Sequence, residues 1–335
     1  LKRITAIAGG TWHSLALRSD KTVWGWGDNG FGQLGTGDGV KSLVPIQTKS
    51  LTGVIAIASG NYHSLALRDD STVWAWGYGL ANGKDVSTNL PAQIGGLSGV
   101  IAIAAGNTFS LALKSDGTVW AWGANNEGQL GNGAKTFTYT PVKVMNLSGI
   151  TAIAAGAHHT LAIKTDSTIW SWGYNGNGGL GDGTEIDRYS PVKVVGVTRA
   201  VEVVAGFKYS IVKGHDGTTW AFGSNTTGQF GNGTLDDSSI PVKVNSPCGR
   251  ETGAERLHEI EKISVFPNPS NNGEIFITGG NQIDEVEIIN LNGQIVYKAK
   301  PNEAVIKVEQ LEAGFYVVKI SSREHSASTK LIISK

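Results

Sequence analysis

His13, His63 and His159 recur at one point of an internal repeat, each just after an apolar stretch that ends in glycine. Imidazoles held at one level of a repeat array could ligate a metal. The same point holds Phe109 and Tyr209 in the other two copies. A ligand position does not accept a phenyl ring, whereas a packing position does, so flat ring packing with a local hydrogen bond is the expectation. Alternation along a strand would turn the neighbouring His158 to the opposite face. Gly30-x-Gly32-x-x-Gly35 and Gly176-x-Gly178-x-x-Gly181 fit the glycine pattern that cradles a dinucleotide. That chemistry also needs a helix opening on the last glycine and an acid about 20 residues on. No helical pattern follows either copy, so these glycines are expected to serve loop geometry. His258-Glu259 lacks the second histidine of a zinc-protease helix, and no Gly-x-Ser-x-Gly elbow occurs. Cys248 is the sole cysteine and sits in a polar stretch with no base beside it. Acids recur as Asp20, Asp70, Asp116, Asp166 and Asp216, one per copy. Paired-carboxylate catalysis needs two acids within about 5–10 Å, and turn chemistry accounts better for one acid per unit. The chain is therefore not read as an enzyme, and no catalytic, metal or cofactor residue is expected.

The elements that carry these residues are repeats. Trp-x-Trp-Gly occurs at Trp24/Trp26, Trp74/Trp76, Trp120/Trp122 and Trp170/Trp172, and as Trp220/Phe222 in a fifth copy. The step is 50, 46, 50 and 50 residues, and Pro45, Pro91, Pro141, Pro191 and Pro241 follow at 46, 50, 50 and 50. Each unit shows an apolar run ending in Gly, an alternating run such as Ser110 to Lys114, a tight turn, the Trp-x-Trp run, a Gly/Asn-rich loop and a Pro-containing run. Asp116-Gly117 and Asp216-Gly217 suit a two-residue hairpin turn, in which both residues take positive φ. Asp20-Lys21, Asp70-Ser71 and Asp166-Ser167 suit it less well. No segment has a 3.6-residue apolar period, so each unit reads as about four short strands. Such sheets bury both faces by packing radially, as a β-propeller. Trp-x-Trp places both rings on one face, where they can fill the wedge between blades. Trp24, Trp26, Trp74, Trp76, Trp120, Trp122, Trp170, Trp172 and Trp220 are thus assigned to structure.

Composition agrees with a packed, neutral, all-β chain of about two domains. Of 335 residues, 40% are hydrophobic and 17% charged, which excludes a disordered polyelectrolyte. Lys+Arg and Asp+Glu are equal at 28, so no net charge drives binding to nucleic acid. One cysteine excludes an intrachain disulfide framework, and no run of 18 apolar residues suggests a membrane span.

Residues 1–245 resemble the regulator-of-chromosome-condensation repeat family. The resemblance is carried by Ala-Ala-Gly106, Ser-Leu-Ala-Leu113, Val-Trp-Ala-Trp-Gly123 and Asn126-Glu-Gly-Gln-Leu-Gly131. Gly32-Gln-Leu-Gly35 and Gly228-Gln-Phe-Gly231 repeat the last segment. The second copy departs, with Gly79-Leu-Ala-Asn-Gly83 in a unit four residues short. Members are usually seven-bladed, so five copies fit either a smaller ring or, as the preferred expectation, part of a seven-bladed one.

Residues 246–262 read as a polar linker. Strand-like runs follow over residues 263–335, without Trp, and suggest a small β-sandwich. This tail resembles the C-terminal sorting domain of the type IX secretion system of Bacteroidetes-like bacteria. The matching residues include Pro267-Asn268-Pro269, Asn292-Gly293, Gly314, Tyr316, Lys319 and the terminal Lys335. The resemblance implies export by that machinery, to the medium or the outer cell surface.

The chain therefore reads as a secreted or surface-displayed binding scaffold, expected to be a monomer, with an extracellular protein or glycan as ligand. Trp12, Phe31, Tyr78, Leu80, Tyr174 and Asn177 are the candidate contact residues, because they occupy variable loop positions. Inhibition of a secreted hydrolase, or service as the non-catalytic module of a larger secreted enzyme, are the alternatives. Guanine-nucleotide exchange, known in the family, is set aside, because an exported chain meets no cytoplasmic GTPase.

Overall fold

The computed structural model describes residues 1–78 and 86–244 and, in the tail, 264–266, 270, 275–278, 285–290, 293–300, 305–309, 311–321 and 326–333. Leu80, Cys248, Pro267, Asn268, Pro269 and Lys335 lie outside the described residues. Contacts divide the chain into two compact units, Leu1–Pro247 and Cys248–Lys335. No helix occurs among the described residues.

The first unit holds five four-stranded antiparallel sheets, the blades, one per sequence repeat. In blade 1 the strands are Ile4–Gly9, His13–Arg18, Val23–Gly27 and Ser42–Gln47. Each pairs with the next in sequence, from inner to outer edge. Strand alternation explains the packing. In blade 3, Leu111, Leu113, Val119 and Ala121 lie on one face and Ala112, Trp120 and Trp122 on the other, with Ala112 opposite Trp120 in the ladder. From blade 2 onwards, the Trp face of each blade packs on the Leu face of the blade before it. Trp122, Trp120 and Ala112 join Leu65, Leu67, Val73 and Ala75 in one core cluster, and Trp172 and Trp170 join Leu111, Leu113 and Val119 in the next. A buried indole contributes a large apolar area to each wedge.

Glycine sets how closely the blades approach. A Cβ on Gly10 would sit 2.5 Å from the Gly60 carbonyl oxygen of the next blade and 2.5 Å from His13 Cε1. Gly156 is alike, with the Gly206 oxygen and His159 Nδ1 both at 2.6 Å. The ring at positions 13, 63, 109, 159 and 209 lies flat where that side chain would be, which explains why His, Phe and Tyr alternate there. The inner strands line a cavity of about 260 Å³, walled by glycine, alanine and the residues that follow each glycine.

The hairpins differ from the two-residue turn expected at Asp-Gly. Lys21 N–H bonds to the Arg18 carbonyl at 2.9 Å and Arg18 N–H to the Thr22 carbonyl at 3.0 Å. This is a three-residue loop, a type I turn closed by one left-handed residue. Only the third loop residue takes positive φ: Lys21 at 62°, Ser71 at 63°, Gly117 at 73°, Ser167 at 61° and Gly217 at 84°. The preceding Asp is spared, because its carboxylate accepts from the residue two ahead instead.

The outward faces of the first and last blades differ. In blade 1, Ile7 is 78% exposed, whereas its counterparts Ile57, Ile103 and Ile153 pack into wedge cores. Trp26 is accordingly only half-buried. In blade 5, Glu202, Lys213 and Thr219 replace the Ala, Leu or Ile, and Val or Ile of earlier copies, and Lys213 Nζ lies 3.8 Å from Glu202.

In the second unit, strands Ser264–Phe266, Ile275–Thr278 and Val305–Val308 form one sheet. Ile295–Ala299, Glu285–Asn290, Gly314–Ser321 and Ser326–Ile333 form another. Ile275, Ile277 and Val308 of the first share a core with Val286, Ile288, Val318, Leu331 and Ile333 of the second. Two sheets burying one core make a sandwich. Gly293 takes φ 78° and donates to the Asn290 carbonyl at 3.0 Å, closing a turn. Tyr316 Oη donates to the Glu312 carbonyl at 3.0 Å, two residues before Gly314 begins its strand, and Lys319 is exposed in that strand.

Candidate functional site: the loop end of the propeller

Up-and-down strands put the connections of a blade at two ends. The first-to-second and third-to-fourth strand loops share one end, the loop end. The hairpins share the other with the links between blades. The long third-to-fourth loops are held from within by an asparagine. Asn175 is fully buried; its Oδ1 accepts from Leu180 N–H at 2.9 Å, and its Nδ2 donates to the Thr184 and Ile186 carbonyls at 3.0 and 3.2 Å. Asn29, Asn125 and Asn225 do the same through Leu34, Leu130 and Phe230. The second repeat has Gly79 at this position, outside the described residues. Sequence reasoning missed these asparagines, although their shared phase after Trp-x-Trp-Gly was the available signal.

Below the loops the histidines tie blade to blade. His13 Nε2 lies 2.9 Å from Ser64 Oγ, and Ser64 Oγ donates to the Gln33 carbonyl at 2.8 Å. The single hydroxyl proton is thus committed, so Nε2–H must be the donor to Ser64. His159, Ser210 and the Gly179 carbonyl repeat the chain at 2.9 and 2.8 Å, and His63 reaches Ser110 at 3.0 Å. The sequence suggests a local hydrogen bond; the structure instead places it between blades. Burial lowers all three imidazoles from 6.5 to about 4, and they stay neutral. His13 Nδ1 is buried with no partner, so a second proton there would be unsatisfied. These rings are committed to holding blades together. Among the described residues, no three His, Cys, Asp or Glu side chains gather as a metal site.

The loop tips carry aromatic rings. Phe31 packs on Tyr62 at 5.2 Å and on Tyr78 at 5.1 Å between centroids. Trp12 is 58% exposed. Tyr174 Oη donates to Asn177 Oδ1 at 3.3 Å, and Asn177 Nδ2 donates to Asp237 Oδ2 at 3.1 Å. Of the candidate contact residues, Phe31 meets Tyr78 and Tyr174 meets Asn177. Phe137 and Phe207, 58% and 60% exposed, were not among them. Two clefts open between neighbouring blades. One of about 320 Å³ is lined by Tyr78, Thr108, Asn126, Phe137 and Tyr139. The other, of about 350 Å³, is lined by Asn177, Phe207, Lys208, Ser224 and Thr226.

The hairpin end is uniform. Trp120 Nε1 donates to Thr118 Oγ1 at 3.2 Å, Thr118 Oγ1 donates to Asp116 Oδ1 at 2.6 Å, and Lys114 Nζ lies 5.7 Å over the indole. Blades 1, 2 and 4 repeat the Trp–Thr–Asp chain. The Thr hydroxyl holds each of these carboxyls below its ordinary range. The recurring acids are turn residues, and four of the five, Asp20, Asp70, Asp116 and Asp166, also dock the first Trp through the Thr. Trp76, Trp122 and Trp172 are fully buried in the wedges, while Trp24, Trp26, Trp74, Trp120, Trp170 and Trp220 are half-buried.

The RCC1-like domain family matches residues 1–266, and the secretion system C-terminal sorting domain matches residues 264–334. Human WBSCR16 superposes with TM-score 0.66 at 24% identity, covering 73% of this chain and 67% of that one. Yeast RCC1 (Prp20), in its complex with Kap60, gives TM-score 0.58 at 22% identity, over 73% and 75% of the two chains. Ulvan lyase NLR42 of Nonlabens ulvanivorans is 29% identical over 80 residues, 23% of this chain and 15% of that protein. The ultraviolet-B receptor UVR8 of Arabidopsis thaliana is 44% identical over 46 residues, 14% of this chain and 10% of that protein. The chain thus spans a small part of these two relatives. The tail indicates export by the type IX secretion system, and no helix among the described residues is long and apolar enough to cross a membrane. Five in-phase blades built on the Trp-x-Trp wedge, followed by the matching tail, make this chain a member of the RCC1-like domain family with a C-terminal secretion sorting domain.

Proposed function

We propose that the chain is a binding scaffold delivered to the cell surface or the medium, with the propeller unit presenting its loop end to an extracellular ligand and the tail unit serving export. One observation carries this reading. Buried asparagines fix the skeletons of the long loops, while one position on the short loops beside them changes from blade to blade: Trp12, which is exposed, and Tyr62, Thr108, His158 and Lys208, which are half-buried. A rigid ring with variable tips supports recognition. The contact set comprises Trp12, Phe31, Tyr78, Leu80, Tyr174 and Asn177, extended by Phe137 and Phe207. The stretch similar to ulvan lyase supports a second reading, that the chain serves as a non-catalytic module of a larger secreted enzyme.

The test uses the full chain immobilised and exposed to conditioned medium and surface extract of the producing cells. A Trp12→Ala/Tyr174→Ala variant should retain less material than the parent. A Lys21→Ala/Arg68→Ala variant at the hairpin end should retain the same amount. Equal retention by all three overturns the reading.

A further inference from the structure

Resting on the reading of the loop end as the binding face, we propose that its ligand is a neutral polysaccharide, gripped at the two inter-blade clefts by sugar rings stacked on Phe137 and Phe207. The two clefts share one element, although the first adds Tyr78 and Tyr139 and the second Lys208. Each pairs one well-exposed phenyl ring with an amide and a hydroxyl: Asn126 and Thr108 beside Phe137, and Asn177 and Thr226 beside Phe207. A pyranose presents a weakly apolar C–H face and a rim of hydroxyls. The first suits an exposed aromatic face; the second suits the Thr108 and Thr226 hydroxyls and the Asn126 amide, which both donates and accepts, while Asn177 already bonds Tyr174 and Asp237. The cavity volumes, about 320 and 350 Å³, lie at the small end of the roughly 300–1,000 Å³ range of ligand clefts. They suit small units of a chain.

The arrangement favours a polymer over a globular protein. A protein partner of ordinary size wants one continuous patch with a dry centre. Here the rings stand in two groups: Phe31, Tyr62 and Tyr78, the last of which also lines the cleft of Phe137 and Tyr139, and, at the other cleft, Phe207 against His158. A ligand of repeating units can occupy separated stations at once and gain avidity. Charge argues against a polyanion. The described loops of this end carry eight Asp and Glu against three Lys. Two of those lysines lie over rings, Lys135 Nζ 4.5 Å from the Tyr189 centroid and Lys208 Nζ 5.5 Å from that of Tyr174 and 6.0 Å from that of Phe207, which leaves the other face of Phe207 for the sugar.

Affinity electrophoresis and calorimetry of the full chain with dextran, xylan, mannan and pullulan, against dextran sulfate, test the proposal. At least one neutral polymer should bind, with affinity unchanged between about 0.05 and 0.5 M salt. Phe137→Ala and Phe207→Ala should each weaken it about tenfold, and the double variant more than either. Both rings are exposed, so the melting temperature should stay put and exclude misfolding. Binding of dextran sulfate alone, no binding of any neutral polymer, or parental affinity in the double variant would overturn it. If no neutral polymer binds while Trp12→Ala/Tyr174→Ala still loses a protease-sensitive ligand from the medium, the glycan proposal falls and the loop-end scaffold stands. If neither assay responds to loop variants, both fall.

Discussion

The hairpin end and the loop end are built from the same strands of the same repeats, yet they hold their residues differently. At the hairpin end, four blades repeat one Trp–Thr–Asp chain, and a cation lies over the first Trp in three of them. At the loop end, repetition is confined to the buried layer of His, Ser and Asn and to loop glycines, and positions such as that of Trp12, Tyr62, Thr108, His158 and Lys208 differ in every copy. Repeats within one chain start alike. Where they stay alike, the fold requires the residue; where they diverge, the fold has released it. The released positions are therefore the place to seek recognition.

Three experiments would break or sharpen this comparison. The largest effect should come from acid. The native imidazoles near 4 bind fewer protons than unfolded ones at 6.5, so stability is full above pH 6.5, falls as pH drops towards 4 and levels off below. Each histidine should cost about 3 kcal/mol across that window. Denaturant unfolding at a series of pH values measures it. His159→Phe, which copies blade 3, should remove about a third of the slope, and an unchanged slope would refute the assignment. Hydrogen exchange at pH 5 should open the loop end before the hairpins. Next in size, Asn175→Ala strands the Leu180 amide and two loop carbonyls, and should lose about 2–3 kcal/mol. Exchange at Leu180 should quicken while blade 2, which has Gly79 in place of this asparagine, stays as it was. The smallest effect should be Thr118→Val at the hairpin end, about 1 kcal/mol for one partly exposed hydrogen-bond chain. Ligand retention should not change; if it does, the two ends are not divided as described.

The blades were legible because Trp-x-Trp and proline recur at a fixed step, and alternation assigns their faces without coordinates. The tail sandwich was legible for the same reason, from runs such as Glu285–Asn290. Other features were hidden by distance. The partner of His13 is Ser64, one whole repeat ahead, and no local pattern announces it. Asn29, Asn125, Asn175 and Asn225 looked like ordinary polar loop residues, because burial by the loop's own backbone leaves no mark in composition. The hairpin loop was misjudged because Asp-Gly satisfies two turn types, and only the Lys21 bond to Arg18 distinguishes them. Of the proposed contact residues, Phe31, Tyr78 and Tyr174 could be picked out from loop phase. Phe137 escaped because it sits where the loop gives way to the outer strand.

The near-touching glycines have a further consequence. Gly10 meets the Gly60 carbonyl, and Gly156 that of Gly206, main chain to main chain. At the inner edge the approach of blade to blade is thus limited by atoms that every residue shares, beneath the wedges that the indoles fill. Tips can then be exchanged without altering the pitch of the array. One could graft the Phe137 station onto another blade and move a contact around the rim by a known increment, which makes this frame a ruler for spacing.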